Sequence, residues 1–98
     1  MVKVSVFKDG FNALGHANHA PHSKDIVCSA ISALTQTTAK ALKTYCIVHV
    51  DVDSSGLYVY VGKPNKKSAL IIGTMLIGLR EIAEQYPMNL SIKEEWEK

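Results

Sequence analysis

Apolar and polar residues alternate along several short stretches of the chain, a pattern typical of β-strands with one buried face. Turn-forming residues separate these stretches: Asp9-Gly10 lies between the first two, and Ser54-Ser55-Gly56 lies between the next two. Each of these pairs is therefore expected to form an antiparallel hairpin. The predicted strands cover residues 2–7, 11–14, 46–53, 57–61 and 88–93.

Two longer stretches have apolar residues at three- and four-residue steps, which predicts α-helices. The first helix is expected to begin after Asp25, a preferred N-cap residue, and to run to about Lys43. The second is expected over 68–86, where Pro87 would end it. The chain is therefore predicted to be an α+β protein, with a small, mostly antiparallel sheet and two helices in the order β-β-α-β-β-α-β.

The second predicted helix is apolar on nearly every side between Leu70 and Leu79. Such a helix is normally covered on more than one face, and a chain of 98 residues has little material with which to cover both. Two arrangements satisfy this pattern. Either the helix is sandwiched inside one protomer, or part of its surface forms the contact of a homodimer. Gly73 and Gly78 would permit the close approach of another element.

The composition is that of a small protein that folds as one domain over residues 1–98. Its formal net charge of +2 is too small to predict direct nucleic-acid binding. The basic residues Lys63, Lys66 and Lys67 are expected either to be solvated or to contact an anionic substrate or ribosomal RNA. The longest apolar stretch, 69–79, is too short to span a bilayer. Two cysteines without a recognisable export signal indicate reduced thiols, which predicts a cytoplasmic protein.

The position of Cys28 suits a nucleophile. With Asp25 as N-cap, Cys28 would be the third helical residue, where amide N–H groups lack intrahelical partners and the helix dipole is positive. Both effects favour the thiolate, although the Asp25 carboxylate opposes them, and the free N–H groups could also stabilise an oxyanion. His16, on a predicted loop, could accept the thiol proton. Alternatively, Cys28 is a small packed residue and His16 a surface histidine. Cys46 shares a predicted strand face with three valines and is expected in the core.

The segment Gly15-His16-Ala17, followed after a polar loop by Asp25-Ile26-Val27-Cys28-Ser29-Ala30-Ile31-Ser32, resembles the ribosomal-processing cysteine protease (Prp) family of bacteria. The resemblance extends over essentially the whole chain. It implies that Cys28 is the nucleophile and His16 its base, with Asp25 and Ser32 in supporting positions. It also implies a homodimer that removes an N-terminal extension from a protein of the large ribosomal subunit. Related enzymes process capsid or scaffold proteins of phages. The loop over 18–24 departs from the family, since it contains one proline and no glycine.

Two other kinds of site are compatible with the same residues. His16, His19, His22 and Cys28 could together bind zinc, although their spacing matches no common zinc motif. A binding or assembly module without activity is the second alternative, in which Cys28 is merely packed. Ser32 lies one helical turn after Cys28 and could donate a hydrogen bond to the sulfur, the loop or the carbonyl oxygen of Cys28. We expect a cysteine endopeptidase that acts on a protein substrate and needs no metal or other cofactor.

Overall fold

The computed structural model describes residues 1–15 and 22–95, with the side chains of the second range from Ile26 onward. Strands and helices follow one another in the predicted order, β-β-α-β-β-α-β, which confirms the α+β class. The helices are α1 (His22–Tyr45) and α2 (Lys66–Gln85). The strands are β1 (Val2–Phe7), β2 (Gly10–Leu14), β3 (Val48–Asp53), β4 (Gly56–Val61) and β5 (Leu90–Glu95).

The strands form one sheet in the order β3-β4-β2-β1-β5. β1 and β5 are parallel, while the other neighbouring pairs are antiparallel. The first hairpin closes between Phe7 and Gly10. A Cβ atom at Gly10 would lie 2.0 Å from the carbonyl oxygen of Val59, so only glycine fits where β2 approaches β4. Within the described residues β3 and β5 are the edge strands, which leaves one side of each backbone without a neighbouring strand.

One face of the sheet is covered by the two helices and forms the core. Most strand residues that face the helices are apolar and buried, as the alternating pattern predicts, and those of the edge strand β3 are more exposed. Helices α1 and α2 also pack against each other, and a Cβ atom at Gly78 would lie 3.0 Å from Cδ1 of Leu34. Within the described residues, no helix covers the opposite face of the sheet. The largest fully buried apolar side chains are Phe11, Leu42, Ile72, Met75, Leu76 and Leu79.

The start of α1 differs from its prediction. The helix begins at His22, so Asp25 is its fourth residue, and the prediction that Asp25 is the N-cap is wrong. A local capping preference is worth only about 1 kcal/mol, so Asp25 alone does not decide where the helix begins. Cys28 is therefore the seventh helical residue, where a regular α-helix already pairs the amide N–H. Cys28 therefore lies beyond the free N–H groups of the first turn, which were expected to stabilise its thiolate.

Helix α2 resolves the all-round apolar pattern into two faces. Its inner face is part of the core, and Met75 is only 1% exposed. Its outer face leaves Leu70 and Ile77 72% and 65% exposed. The start of the helix is fixed by Asn65, whose side chain accepts a hydrogen bond from the amide of Ser68 at 2.9 Å while the Ser68 hydroxyl accepts one from Asn65 N–H. Neither described helix is long and apolar enough to cross a membrane.

Candidate active site

Cys28 is a free cysteine on the second turn of α1. Its neighbours Val27 and Ile31 are buried and pack into the core, whereas Ile26 is exposed to solvent. Cys28 is half-buried, between these two extremes. The residue therefore lies at the border between the packed and the solvent-facing sides of the helix, where a side chain can be held by its neighbours and still be reached by a substrate.

Helical spacing places Cys28 on the flank of α1 that faces the edge strand β3. Residues four, seven and eleven positions later share one flank with Cys28, and these are Ser32, Thr35 and Ala39. Thr35 and Ala39 line a groove between α1 and β3, opposite Val52. The walls of this α1–β3 groove are formed by Thr35, Gln36, Ala39, Lys40, Lys43, Val50, Val52 and Leu57.

Ser32 is half-buried one turn from Cys28, as its spacing predicts. Its carbonyl oxygen accepts a hydrogen bond from the Thr35 hydroxyl at 3.3 Å. Within residues 1–15 and 22–95, the Ser32 hydroxyl itself makes no hydrogen bond, either to the sulfur or to the carbonyl oxygen of Cys28. The hydroxyl is therefore available to a group that enters from outside the described residues, such as a substrate.

Gly15 fixes the end of β2 beside the turn between β3 and β4. Its φ of +81° favours glycine, and a Cβ atom there would lie 2.6 Å from the carbonyl oxygen of Met1. Its amide N–H donates a hydrogen bond to the carbonyl oxygen of Ser55 at 3.3 Å. Gly15 directly precedes His16 in the sequence. The backbone that leads into the predicted base is thus held to the same end of the sheet as the start of α1, whereas His16 itself lies outside the described residues.

The turn between β3 and β4 is held by the carboxylate of Asp53. One oxygen of this carboxylate accepts hydrogen bonds from the amide N–H groups of Ser55 and Gly56 at 2.8 and 3.1 Å, and from the Ser55 hydroxyl at 2.6 Å. The Ser55 hydroxyl also contacts the hydroxyl of Tyr58 at 2.6 Å. Because Gly15 is bonded to the carbonyl oxygen of Ser55, this side-chain network supports the backbone that precedes His16.

The same network makes the turn sensitive to acid. Donation from the Ser55 hydroxyl, and then from the Ser55 and Gly56 amides, lowers the pKa of Asp53 below its ordinary value of 3.8. A carboxyl whose pKa is lower in the folded state contributes stability above its unfolded pKa and loses that stability as the pH falls through its folded pKa. We expect titration of the Asp53 carboxyl carbon by NMR to give a pKa below 3.8.

Replacement of the same carboxylate checks the linkage to stability. Asp53→Ala should destabilise the protein to urea at about pH 7 and flatten the loss of stability between about pH 5 and pH 2. Asp51→Ala is the matched control, because the Asp51 side chain is exposed on the same strand and makes no hydrogen bond in the described residues. A normal acid dependence in Asp53→Ala would contradict the assigned cause.

The zinc ligands and the second thiol that the sequence suggested are only partly described by the structure. Among the described side chains, those of residues 1–15 and 26–95, no three from His, Cys, Asp or Glu lie close enough to hold a metal ion. His16, His19 and the side chains of His22 and Asp25 lie outside the described part, so the zinc hypothesis stays a prediction. Cys46 packs against the core as expected, but it lies between α1 and β3, not on the strand where it was predicted.

Comparison with known proteins adds the family. The family model of cysteine protease Prp matches residues 1–91. The ribosomal processing cysteine protease Prp of Staphylococcus aureus is 31% identical over 83 residues, which cover 80% of this chain and 78% of the relative. The relative of the same name from Mycoplasma genitalium is 31% identical over 98 residues and 97% of each chain.

Solved structures agree with this match. The crystal structure of SMU.848 from Streptococcus mutans has a TM-score of 0.84 at 22% identity, over 99% of this chain and 96% of that one, which shows a shared fold. The essential ribosomal processing protease Prp from S. aureus, solved with a covalently linked product peptide, has a TM-score of 0.74 at 25% identity. That alignment covers 96% of this chain and 97% of the protease. Because the family model spans nearly the whole chain, and relatives and structures agree with it, the protein belongs to the Prp family of cysteine proteases.

Proposed function

We propose that this protein removes an N-terminal extension from a protein of the large ribosomal subunit, with Cys28 as the nucleophile and His16 as the base. The observation that carries the proposal is the half-buried position of Cys28, on the helix flank that borders an open groove. The relatives from S. aureus and M. genitalium, named as ribosomal processing proteases, support the substrate class. A ribosomal substrate would place the enzyme in the cytoplasm.

The chain has two cysteines, and their positions favour Cys28 as the nucleophile. Cys46 lies just beyond the C-terminal end of α1, where its amide N–H donates to the carbonyl oxygen of Leu42 at 2.8 Å. Eighteen residues of helical rise separate it from Cys28, which corresponds to about 27 Å. Gly15, which leads into His16, is joined to the opposite end of the sheet. Of the two cysteines, Cys28 is therefore the one at the same end of the sheet as Gly15, which directly precedes His16 in the sequence.

The proposed reaction proceeds through a thioester. The Cys28 sulfur attacks the scissile carbonyl carbon while His16 accepts the thiol proton. The C–N bond then breaks, and His16 returns the proton to the leaving amine nitrogen. Water attacks the thioester with His16 again as base, which releases the acid and restores the thiol. Ser32 lies one turn away, and its hydroxyl makes no hydrogen bond within the described residues; it is proposed to contact the substrate or the sulfur. Asp25 is proposed to orient His16.

The proposal is tested by incubation of the protein with candidate substrates and mass spectrometry of the products. A large-subunit ribosomal protein with its N-terminal extension should be cleaved at one bond, and the two fragment masses locate that bond. A phage capsid or scaffold protein is the competing substrate. Cleavage of the phage protein, with the ribosomal protein left intact, would contradict the proposed substrate. It would still support the assignment of the protein as a protease.

We further propose that the protein is a homodimer that uses the outer face of α2. This face presents Leu70 and Ile77, which are exposed in the protomer, and obligate dimer interfaces are more apolar than ordinary surface. Ile71 is half-buried, whereas Met75 belongs to the core of the protomer. A charge at Met75 would therefore unfold the protomer itself and cannot test the dimer.

Ile77→Glu should convert the dimer to a folded monomer. Ile77 is exposed in the protomer, so the new carboxylate stays in water there, whereas dimer formation would bury it without a partner. Sedimentation equilibrium at about 10–100 μM measures the mass, and circular dichroism confirms the fold. Tyr60→Glu, an exposed residue on the open face of the sheet, is the matched control and should remain dimeric. A wild-type protein that stays monomeric over this range would contradict the dimer and leave the catalytic assignment standing.

A further inference from the structure

The α1–β3 groove has a volume of about 300 Å³. The surface of its walls is mostly apolar, although Thr35, Gln36, Lys40 and Lys43 of α1 also line it. Leu57 forms its buried floor, and Val52 of β3 is 68% exposed at its wall. Val52 is a β-branched apolar residue on an edge strand, and no element lies over it in the part of the chain that the structure describes. The groove therefore presents unpartnered apolar surface on the same flank of α1 as Cys28.

The backbone beside the groove is also open. The amide N–H of Gly62 donates to the carbonyl oxygen of Ile47 at 2.9 Å, which marks these two residues as a hydrogen-bonded pair of the β3–β4 ladder. Bonded pairs alternate in an antiparallel ladder, so residues 49, 51 and 53 direct their backbone groups toward β4. Val50 and Val52 therefore direct their N–H and C=O groups outward, where no described strand meets them.

These two features fit one kind of ligand, an extended peptide. A strand added to the outer edge of β3 would pair with the free backbone groups of Val50 and Val52. Residues directly opposite each other in a β-ladder point their side chains to the same face. The peptide residues opposite Val50 and Val52 would thus insert their side chains into the α1–β3 groove, which accepts apolar groups.

The groove lies at the right distance from the nucleophile to hold part of the substrate. Thr35 is seven residues after Cys28, which corresponds to about 10 Å along the helix axis. An extended chain covers about 10 Å in three residues. A peptide whose scissile carbonyl is at Cys28 would therefore reach the groove about three residues away along its chain.

We propose that the edge strand β3 binds the protein substrate by strand addition, and that the α1–β3 groove selects apolar side chains about three to five residues from the scissile bond. This inference rests on the proposed function, because it takes Cys28 as the site of cleavage. It adds the element that the substrate pairs with and the chemical class of side chain that the enzyme selects.

The first test compares two peptides, a long one that reaches the groove and a short one that ends two residues on each side of the cleaved bond. Val52→Glu should lower kcat/KM for the long peptide about tenfold more than for the short one, because the charge is placed where apolar side chains bind. Ile47→Glu is the matched control, since Ile47 is an exposed apolar residue next to the same edge but outside the groove. It should cleave both peptides at the wild-type rate.

The second test uses the wild-type protein and does not depend on the folding of a variant. Each backbone nitrogen of the long peptide is methylated in turn, which removes one donor at a time. We expect kcat/KM to fall about tenfold at alternate residues that lie three to five positions from the scissile bond, because only alternate N–H groups face β3.

The outcomes separate the proposals. Equal losses on both peptides in Val52→Glu, or methylation losses without alternation, would overturn strand addition while the protease stands. Conversion of Val52→Glu to a monomer would assign the groove to a contact between copies and also overturn it. If the wild-type protein cleaves neither peptide and leaves the ribosomal protein intact, the proposed function is overturned. The proposed role of the groove in substrate binding then falls with it.

Discussion

Cys28→Ala is expected to abolish peptide cleavage, with a loss in kcat of at least about 10³-fold, and to leave the fold intact. The sulfur forms the bond to the scissile carbonyl in the proposed reaction, so its removal leaves no nucleophile. Alanine is the residue best suited to a helix interior, and Cys28 is only half-buried, so the free energy of unfolding should change by no more than about 1 kcal/mol. Single-turnover cleavage and urea unfolding measure the two quantities.

Cys46→Ala is the matched control, because it removes the other thiol of the chain at the far end of α1. It should lower stability modestly through lost core packing and retain cleavage. Cys28→Ser should be nearly inactive as well, because a hydroxyl does not ionise as a thiol does. Two outcomes would contradict the assignment of Cys28 as the nucleophile. They are cleavage by Cys28→Ala at the wild-type rate and loss of activity only in Cys46→Ala.

His16→Ala should reduce kcat by about 10²- to 10⁴-fold and change KM little, since a general base acts on the transition state and contributes less to substrate binding. The residual activity should rise with pH, because hydroxide can then remove the thiol proton without a base. The measurement is the pH profile of kcat for the wild type and the variant.

His49→Ala serves as the control for His16, because His49 is exposed on β3 and is a histidine outside the predicted site. His19→Ala should cost much less than His16→Ala. Equal losses at His16, His19 and His22 that added zinc restores would instead favour a metal site. A loss in His16→Ala that appears only in KM would contradict the role of base.

The alternation of apolar and polar residues was enough to predict the order of elements. Strand β1 shows why: every second residue from Val2 to Val6 must be apolar because one face of the sheet packs on helices. The same local rules gave the two hairpins. They misplaced the start of α1 by one turn, because a capping preference of about 1 kcal/mol does not by itself decide where a helix begins.

For the candidate site as well, the sequence was enough to predict some features and not others. Residue identity and spacing within one helix were enough to place Ser32 on the flank of Cys28, since helical geometry fixes that relation. Residue identity and helical spacing could not show which element of the fold this flank faces. That flank faces β3 only because the chain order puts β3 at one edge of the sheet and α2 on the other side of α1.

By itself, the sequence determined the fold class, the two hairpins, the apolar faces and the residue types that can serve as nucleophile and base, because each follows from local periodicity or from side-chain chemistry. Only the tertiary structure decided that Met75 is core while Ile77 is surface, and that Val52 faces an open groove. Burial and edge position depend on which elements pack together, and such contacts join residues far apart in the chain.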